Sequence, residues 1–292
     1  MKQPIKHLLS APYFIAFVPF YALLYLTRWL LPNAANNVST VCRRLIDSTI
    51  RSKYLVIQNK RVKFALHTPN RITNWRFNSI ESKEPLLLDW LGTLDGGSLL
   101  LDIGANIGSV AIIHCLLDKK NKAICFEPSP FNLKQLSLNI WANHAQDQIS
   151  IMPFALMDAN EPIEMIFPSV EEGGALNEIK VSNHERKLKL FAVNADQFLS
   201  KLIGTEIPNA IKIDVDGAEL NVLLGLQAIL RHKKFKTLYI EIDFRAHNNA
   251  TMILELLESV PRLTITSSSR YELHSFLNRQ NAVINTIWEK VN

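Results

Sequence analysis

One short stretch, LDIGANIGS at residues 101–109, limits the possible folds of this chain more than any other. The apolar run before it ends in Asp102, and the run after it places apolar residues close to the helical repeat. Gly104 and Gly108 permit positive φ and close approach of a ligand, and Asn106 between them tolerates the left-handed region. The pattern predicts a strand, a glycine turn and a helix whose first backbone N–H groups face a ligand.

The acids near this turn select among ligands. A dinucleotide fingerprint, G-x-G-x-x-G, would need glycines where the chain has Asn106 and Ser109. Asp102 would repel a pyrophosphate but attract the ammonium and sulfonium groups of S-adenosylmethionine (SAM). Glu127, nineteen positions after Gly108, ends the next predicted strand, where an acid can hold both ribose hydroxyls. The residues favour SAM over NAD, and a strand-turn-helix with incidental acids is the alternative.

The stretch AIKIDVDGAEL, residues 210–220, is the second part of the chain with unusual charges. Alternation along its predicted strand puts Lys212, Asp214 and Asp216 on one side. Three charges on one face of a core strand are tolerable at its carboxyl end, where an open α/β sheet binds ligands. Asp214 is expected to face the methyl donor or the acceptor hydroxyl, with Lys212 as its counter-ion. An ion-pair cluster that caps the sheet is the alternative.

Composition agrees with an intracellular enzyme. The 292 residues, 48% of them hydrophobic, suffice for one large α/β domain with an appendage. The three cysteines form no C-x-x-C, so neither a disulfide framework nor a zinc site is predicted. The histidines show no ligand spacing and no metal is predicted, although an ion that bridges Asp214 with Glu241 or Asp243 stays open.

The first 76 residues carry most of the positive charge. The net charge of the chain is +5, yet residues 1–76 contain twelve Lys or Arg and one acid. Residues 8–27 hold no charge, a length that can cross a hydrocarbon core, although their two prolines and many aromatic side chains also suit an interfacial segment. We expect residues 8–31 to attach the protein to the inner face of a membrane, with the catalytic part in the cytoplasm. An apolar helix packed on the domain or on a partner subunit is the alternative.

The remaining patterns predict the layout of the chain. We expect a hydrophobic helical segment at residues 1–34, a basic helix and a small β extension at 35–83, and the catalytic domain at 84–292. Turn residues and mixed charge at 168–187 indicate a loop over the site. Strands and helices alternate in the βαβ manner, with strands at KAICF, ISIMPFAL, KLKLFAV, AIKIDV, TLYIEIDF and VINTIWEKV.

Together these stretches resemble the FkbM-type SAM-dependent methyltransferases. The resemblance spans about residues 74–243 and rests on LDIGANIGSVAII, CFEPSPFNLKQLSLNI, FAVNADQFL and IKIDVDGAELNVLLGLQAIL, with KEPLLLDWL before them and YIEID after them. It implies an α/β, Rossmann-like class I methyltransferase fold, with a mostly parallel seven-stranded sheet and helices on both faces. The N-terminal apolar segment lies outside the resemblance.

The resemblance also implies roles for single residues. The predicted SAM-binding residues are Asp102, Gly104, Asn106, Gly108 and Glu127, which fall on the donor-binding motifs, and their neighbours Ala105 and Pro128. The later K-x-D-x-E-G-x-E pattern falls on Lys212, Asp214, Asp216 and Glu219, of which the first three are the candidate catalytic residues. Asp216 stands where the family usually has Glu, which shortens the reach of its carboxylate.

The residues and the resemblance together predict SAM-dependent O-methylation of a hydroxyl on a sugar, glycan or glycolipid. The enzyme must mainly align the acceptor oxygen and exclude water, and Asp214, then Asp216, are the candidate bases. One alternative is a module that binds SAM or a nucleotide without turnover. The other is an RNA methyltransferase, but no aromatic stacking signature accompanies the basic residues, so no nucleic-acid partner is expected. A homo-oligomer stays open.

Overall fold

The computed structural model describes most of the chain, which divides into two compact units, Met1–Thr49 and Ile50–Asn292. Most of the apolar segment predicted at residues 8–31, and most of the loop predicted at 168–187, lie outside the described residues. Among the residues that the structure does describe, no helix combines the length and the apolar character needed to cross a membrane. The described residues are 22, 25, 26, 29, 32–47, 49–167, 171–174, 178–179, 187–202, 206–267 and 283–291.

The first unit contains helix α1, Pro32–Asp47. Val38, Val41 and Leu45 lie on one side of this helix because their spacing follows the helical repeat, and all three are exposed. The helix also holds two arginines in succession. Helix α1 is therefore basic, as predicted, and it carries an exposed apolar stripe.

The second unit contains thirteen strands and eight helices among its described residues. Its strands are β1 Ile50–Ile57, β2 Lys60–His67, β3 Leu99–Ile103, β4 Lys122–Phe126, β5 Ile149–Met152, β6 Ala155–Met157, β7 Glu161–Ile166, β8 Glu178–Ile179, β9 Lys187–Asn194, β10 Ala210–Ile213, β11 Thr237–Asp243, β12 Leu263–Ile265 and β13 Val283–Lys290. Its helices are α2 Arg71–Lys83, α3 Pro85–Thr93, α4 Ser109–Leu117, α5 Pro130–Ala142, α6 Ala195–Leu202, α7 Glu219–Gly225, α8 Gln227–Arg231 and α9 His247–Ser259.

Seven strands form one sheet in the order β12-β13-β11-β10-β3-β4-β5. The pairs from β11 to β5 are parallel, whereas β13 runs antiparallel to both of its neighbours. The prediction of a mostly parallel, Rossmann-like seven-stranded sheet is confirmed. The strand order reverses direction beside β3, and an open sheet of this kind binds ligands outside the carboxyl ends of its strands at such a point.

Apolar side chains on the two faces of the sheet build two cores, because a parallel sheet is buried on both faces. On one face Leu101 and Ile211 pack with helices α7, α8 and α9. On the other face Leu100 packs with α3, α4 and α5 and with residues of the β1–β2 hairpin, such as Phe64. Helices therefore cover both faces, as predicted. The hairpin and α2, which the sequence places in a separate extension, belong to the same compact unit as the sheet.

Two of the predicted stretches form strands, but their arrangement differs from a simple βαβ alternation. KLKLFAV forms β9, but this strand belongs to a second sheet with the order β6-β9-β7-β8 and not to the main sheet. ISIMPFAL forms two strands, β5 and β6, because Pro153 between them has no N–H to donate to a ladder. The edge of the main sheet beside β13 is formed by β12, a stretch in which no strand was predicted.

Candidate functional site

The carboxyl ends of β3, β4, β10 and β11 border a cavity of about 380 Å³. Two of the ten predicted site residues do not line it, because Asp102 is fully buried and Gly108 faces the side chain of Leu136. The structure brings the other eight together in the cavity wall: Gly104, Ala105, Asn106, Glu127, Pro128, Lys212, Asp214 and Asp216.

The turn between β3 and α4 requires its glycines. Gly104, Asn106 and Gly108 have φ values of 75°, 51° and 84°, so all three adopt a left-handed backbone. A Cβ at Gly104 would overlap the carbonyl oxygen of Asp214, and one at Gly108 would overlap the side chain of Leu136. The first glycine thus lets the turn approach β10, and the second lets it approach α5.

Glu127 follows directly after β4 and is only 4% exposed. Its Oε2 accepts a hydrogen bond from the backbone N–H of Asn106 at 2.7 Å. Its Oε1 accepts from the backbone N–H of Ser129 at 2.9 Å and from the Asn132 amide at 3.4 Å. Burial raises the pKa of Glu127, although these hydrogen bonds oppose the shift. Because a carboxylate has about four acceptor positions, Glu127 retains capacity for a ligand hydroxyl.

A buried lysine joins β10 to β3. The Nζ atom of Lys212 lies 3.4 Å from Asp102 Oδ1 and 3.5 Å from Asp214 Oδ2. It also donates to the carbonyl oxygens of Gly104 at 2.8 Å and Ile103 at 3.3 Å. Burial alone would lower the pKa of Lys212, but Asp214 and Asp102 outweigh burial and raise it. Lys212 is therefore placed as the predicted counter-ion of Asp214, and it also fixes the start of the glycine turn.

The turn after β10 is held by Glu219. Its Oε1 accepts hydrogen bonds from the backbone N–H groups of Val215 at 3.2 Å and Gly217 at 3.1 Å. Asp216 has a φ of 55° and lies in this turn, so the strand alternation predicted for Lys212, Asp214 and Asp216 does not extend to Asp216. Asp214 and Asp216 nevertheless both line the cavity.

Several residues of the cavity wall were not predicted as site residues from the sequence. They lie on α2, before α3 and on β11 and β13, elements that meet only in the folded sheet. No local pattern in the sequence connects them to the glycine turn. These residues are Trp75, Arg76, Glu84, Tyr239 and Asn285.

Two polar side chains of the wall differ in their hydrogen bonding. Tyr239 is 2% exposed and packs on Trp90, with the ring centroids 5.4 Å apart, and its hydroxyl interacts with the side chain of Glu84. Burial raises the pKa of Tyr239. The Oδ1 atom of Asn106, by contrast, is buried and has no partner among the described residues. Unpaired buried polar atoms are rare in folded proteins, so Asn106 marks a place where a ligand can form a hydrogen bond.

Glu241 lines the cavity near the carboxyl end of β11, opposite Asn285 of β13. In the described part of the chain its carboxylate forms no ion pair or hydrogen bond. Burial, followed by the charge of Asp214 and of nearby glutamates, raises the pKa of Glu241 to about 7. Asp243 on the same strand is bound by Arg245 at 2.8 Å. The described ranges contain no group of three or more His, Cys, Asp or Glu residues that could hold a metal ion.

Residues 171–174, which we call the arch, contact the wall of the cavity. The carbonyl oxygen of Gly174 accepts hydrogen bonds from the side-chain amides of Asn106 at 2.9 Å and Asn132 at 3.3 Å. The carbonyl oxygen of Gly173 accepts from Arg76 Nε at 2.8 Å. Within the loop predicted at residues 168–187, the arch therefore lies against the site, whereas residues 178–179 form strand β8.

Comparison with known proteins gives a family match and a relative. Residues 102–265 match the methyltransferase FkbM domain. A hexuronic acid methyltransferase, AglP, of Haloferax volcanii is 25% identical to this chain over 241 residues, which cover 81% of this chain and 93% of the relative.

Two solved structures are similar over part of the chain. A methyltransferase FkbM from Methylobacillus flagellatus KT is 15% identical, with a TM-score of 0.46, over 68% of this chain and 45% of that one. A precorrin-6y C5,15-methyltransferase from Geobacter metallireducens GS-15 is 13% identical, with a TM-score of 0.41, over 71% of this chain and 86% of that one. The present chain thus spans less than half the length of the first structure. The family match covers more than half of the present chain, which therefore belongs to the FkbM methyltransferase family.

Proposed function

We propose that the protein uses SAM to methylate a hydroxyl group of a sugar within a glycan or glycolipid. The observation that carries this proposal is the contact between the glycine turn and the buried carboxylate of Glu127. The N–H of Asn106, which a phosphate-binding turn would offer to its anion, is donated to that carboxylate instead. A buried acid at this place repels a phosphate and suits a cationic donor that carries a ribose.

The cavity fits SAM in size and in chemistry. Its volume of about 380 Å³ falls in the range of about 300–1,000 Å³ that is usual for ligand sites. Glu127 has capacity for a ribose hydroxyl, and the unpaired Oδ1 atom of Asn106 has capacity for another polar group. Glu84 and Asp214 supply negative charge for the ammonium and sulfonium groups. When bound, SAM would supply an activated methyl group.

The proposal of a sugar acceptor rests on the relative and on the cavity wall. AglP is named as a hexuronic acid methyltransferase, and it aligns with most of this chain. In the wall, Trp75 is 47% exposed and offers an apolar ring. Ser79 and Lys83 lie one and two turns further along α2 and also line the cavity. Lys83 Nζ lies 4.2 Å from the centroid of the Trp75 ring, and an aromatic ring next to an ammonium donor suits a sugar, which has both apolar and hydroxyl-bearing faces.

The chain's part in the reaction is to align the acceptor hydroxyl and to take up its proton. Asp214 is the first candidate base from the sequence, and its Oδ2 atom lies 3.5 Å from Lys212 Nζ. The Glu241 carboxylate forms no ion pair in the described chain, and its pKa of about 7 suits proton transfer at neutral pH. We therefore place Glu241 beside Asp214 as a candidate for the residue that accepts the proton.

Calorimetry with SAM tests the donor part of the proposal. Glu127→Gln should weaken SAM binding by about 1–3 kcal/mol, because a neutral amide replaces a charged acceptor. Glu161→Gln, at an exposed acid of β7, should leave the affinity unchanged. The donor proposal fails if the wild type does not bind SAM or if both variants bind it as the wild type does.

The acceptor part is tested in cells. Glycans and glycolipids of a strain that lacks the protein should lose one methyl group on a sugar, as measured by mass spectrometry, and the wild-type protein should restore it. Restoration by Glu241→Gln as complete as that by the wild type would remove Glu241 from the reaction. An unchanged methylation pattern in the deletion strain would contradict a sugar acceptor.

We further propose that the first unit holds the enzyme at the cytoplasmic face of a membrane. Residues 8–27 carry no charge, and in α1 the exposed stripe of Val38, Val41 and Leu45 accompanies two arginines. A basic amphipathic helix binds anionic lipid surfaces through apolar burial and charge together. Such a location suits a lipid-linked glycan as acceptor.

A further inference from the structure

We propose that Arg76 binds a carboxylate group of a ligand in the cavity. This inference rests on the proposed function, because it concerns the ligands of the same site. Arg76 lines the cavity from helix α2, and neither the sequence motifs nor the family resemblance gives it a role.

The arch fixes the position of the Arg76 side chain. Arg76 Nε donates to the carbonyl oxygen of Gly173 at 2.8 Å. Gly173 has a φ of 83°, and a Cβ there would lie 3.1 Å from Thr73 and 3.3 Å from Ile72 on α2. The glycine therefore permits the arch to lie this close to the helix. One of the five guanidinium N–H groups is used, and the four on the terminal nitrogens form no hydrogen bond within the described chain.

Acids surround the Arg76 side chain. Burial lowers the pKa of Arg76, whereas the charges of Asp214, Asp216, Glu84 and Glu127 act to raise it. In the part of the chain that the structure describes, the carboxylates of Asp214, Glu84 and Glu127 do not come within the 4.0 Å of an ion pair with the guanidinium. The cost of burial exceeds the attraction of the acids, so the guanidinium would gain from a negative group brought by a ligand.

A carboxylate matches this environment better than a phosphate does. The planar guanidinium can bind both oxygens of a carboxylate side by side. The acids of the wall would repel a doubly charged phosphate, but they tolerate a single negative charge on a ligand that also carries positive groups or hydroxyls. Two ligands of the proposed reaction can bring such a carboxylate. One is SAM, through its amino-acid part, and the other is an acidic sugar as acceptor.

Ligand binding without turnover distinguishes these two sources. Wild type and Arg76→Gln would be titrated by calorimetry with S-adenosylhomocysteine and with its decarboxylated form, which differ only in the carboxylate. With S-adenosylhomocysteine bound, the same proteins would be titrated with glucuronate and with glucose. Arg71→Gln, at an exposed arginine of the same helix, is the matched control.

We expect Arg76→Gln to lower the affinity for one carboxylate-bearing ligand by about tenfold or more, and to leave its carboxylate-free counterpart unchanged. A loss for S-adenosylhomocysteine identifies the donor as the source, and a loss for glucuronate identifies the acceptor. Arg76→Lys, which keeps the charge without the planar fork, should show a smaller loss. The thermal unfolding midpoint of each variant checks that the fold persists.

Affinities that fall equally for both members of each pair, or not at all, would overturn the role of Arg76. If the wild type binds S-adenosylhomocysteine and Arg76→Gln binds it and glucuronate as the wild type does, only this inference fails. If the wild type binds none of the four ligands, the proposed function fails together with it.

Discussion

Lys212 is only 3% exposed. In place of water, its ammonium group contacts Asp102, Asp214 and the backbone carbonyls of Ile103 and Gly104. Asp102 is fully buried, so water cannot solvate its carboxylate if this lysine is replaced. The removal of one partner from a buried ion pair leaves the other charge uncompensated. The same ammonium group therefore supports the turn and sets the charge beside Asp214.

The Lys212→Met variant should lower the free energy of unfolding by about 3–5 kcal/mol, the usual cost of an uncompensated buried charge. Urea denaturation at neutral pH measures this change. Lys236→Met is the matched control. Lys236 lies 2.6 Å from Asp95, but the two side chains are 60% and 71% exposed. The free energy of unfolding of this variant should therefore fall by less than about 1 kcal/mol. Equal losses in the two variants would contradict a structural role for Lys212.

The pKa of Glu241, raised to about 7 from an ordinary value of 4.5, predicts how stability depends on pH. The folded state holds this proton more tightly than the unfolded state does, so its stabilising effect is full below pH 4.5 and is lost as the pH rises through about 7. Glu241→Gln should match the wild type at pH 4 and be more stable at pH 8, by on the order of 1–2 kcal/mol.

Urea denaturation of both proteins from pH 4 to pH 8 measures this difference. Asp243→Asn on the same strand is the control of opposite sign, because the hydrogen bond from Arg245 lowers the pKa of Asp243. Asp243→Asn should therefore be less stable than the wild type above the ordinary aspartate pKa of 3.8, and this difference should shrink at lower pH. A difference between Glu241→Gln and the wild type that does not vary with pH would show that Glu241 ionises normally.

At the scale of elements, the glycine turn determines how closely β3 and β10 can meet. In Gly104→Ala the new Cβ would overlap the carbonyl oxygen of Asp214, and the backbone would keep a φ of 75°. We expect the free energy of unfolding to fall by several kcal/mol, or the variant to fail to fold, because the overlap is with a backbone atom and not with the movable end of a side chain. Gly217→Ala is the control, since its φ is 106° but nothing lies within 4 Å of the added atom.

The strain of a left-handed backbone alone should cost Gly217→Ala about 1–2 kcal/mol. The difference between the two variants in urea denaturation therefore isolates the contact between the turn and β10. Similar losses would mean that backbone conformation, and not the close approach of the strands, explains the need for Gly104.

Elements whose parts are close in the chain could be predicted from the sequence, and the others could not. The predicted site residues lie at the carboxyl ends of three strands, each recognisable from a short stretch, and these ends meet at one edge of a parallel sheet, so eight of the ten residues do meet in one wall. The Arg76 side chain is fixed by Gly173, 97 positions away, and no local pattern records that contact. The alternation in KLKLFAV fits either sheet equally well, so it could not show that β9 pairs with β7 and not with the main sheet.

At the scale of the whole molecule, the apolar cores belong to one unit. The two cores on the faces of the main sheet consist of residues between 50 and 292, and every described residue of the cavity wall lies in the same range. The proposed membrane attachment depends instead on residues 1–49, with their uncharged stretch and the basic helix α1. Binding of the donor and attachment to the membrane should therefore be separable.

Removal of residues 1–49 is expected to release the protein from membranes and to leave the affinity for SAM unchanged, because the cores and the cavity stay intact. Fractionation of cells that produce each form, followed by calorimetry, measures both outcomes. If residues 8–27 are inserted, high salt should not extract the full-length protein from membranes, because apolar burial does not depend on screening. Extraction by salt would mean that charge alone holds it, since attraction of about 1 kcal/mol per basic residue is screened. Full-length protein that stays soluble and monomeric without detergent or membranes would contradict the proposed attachment.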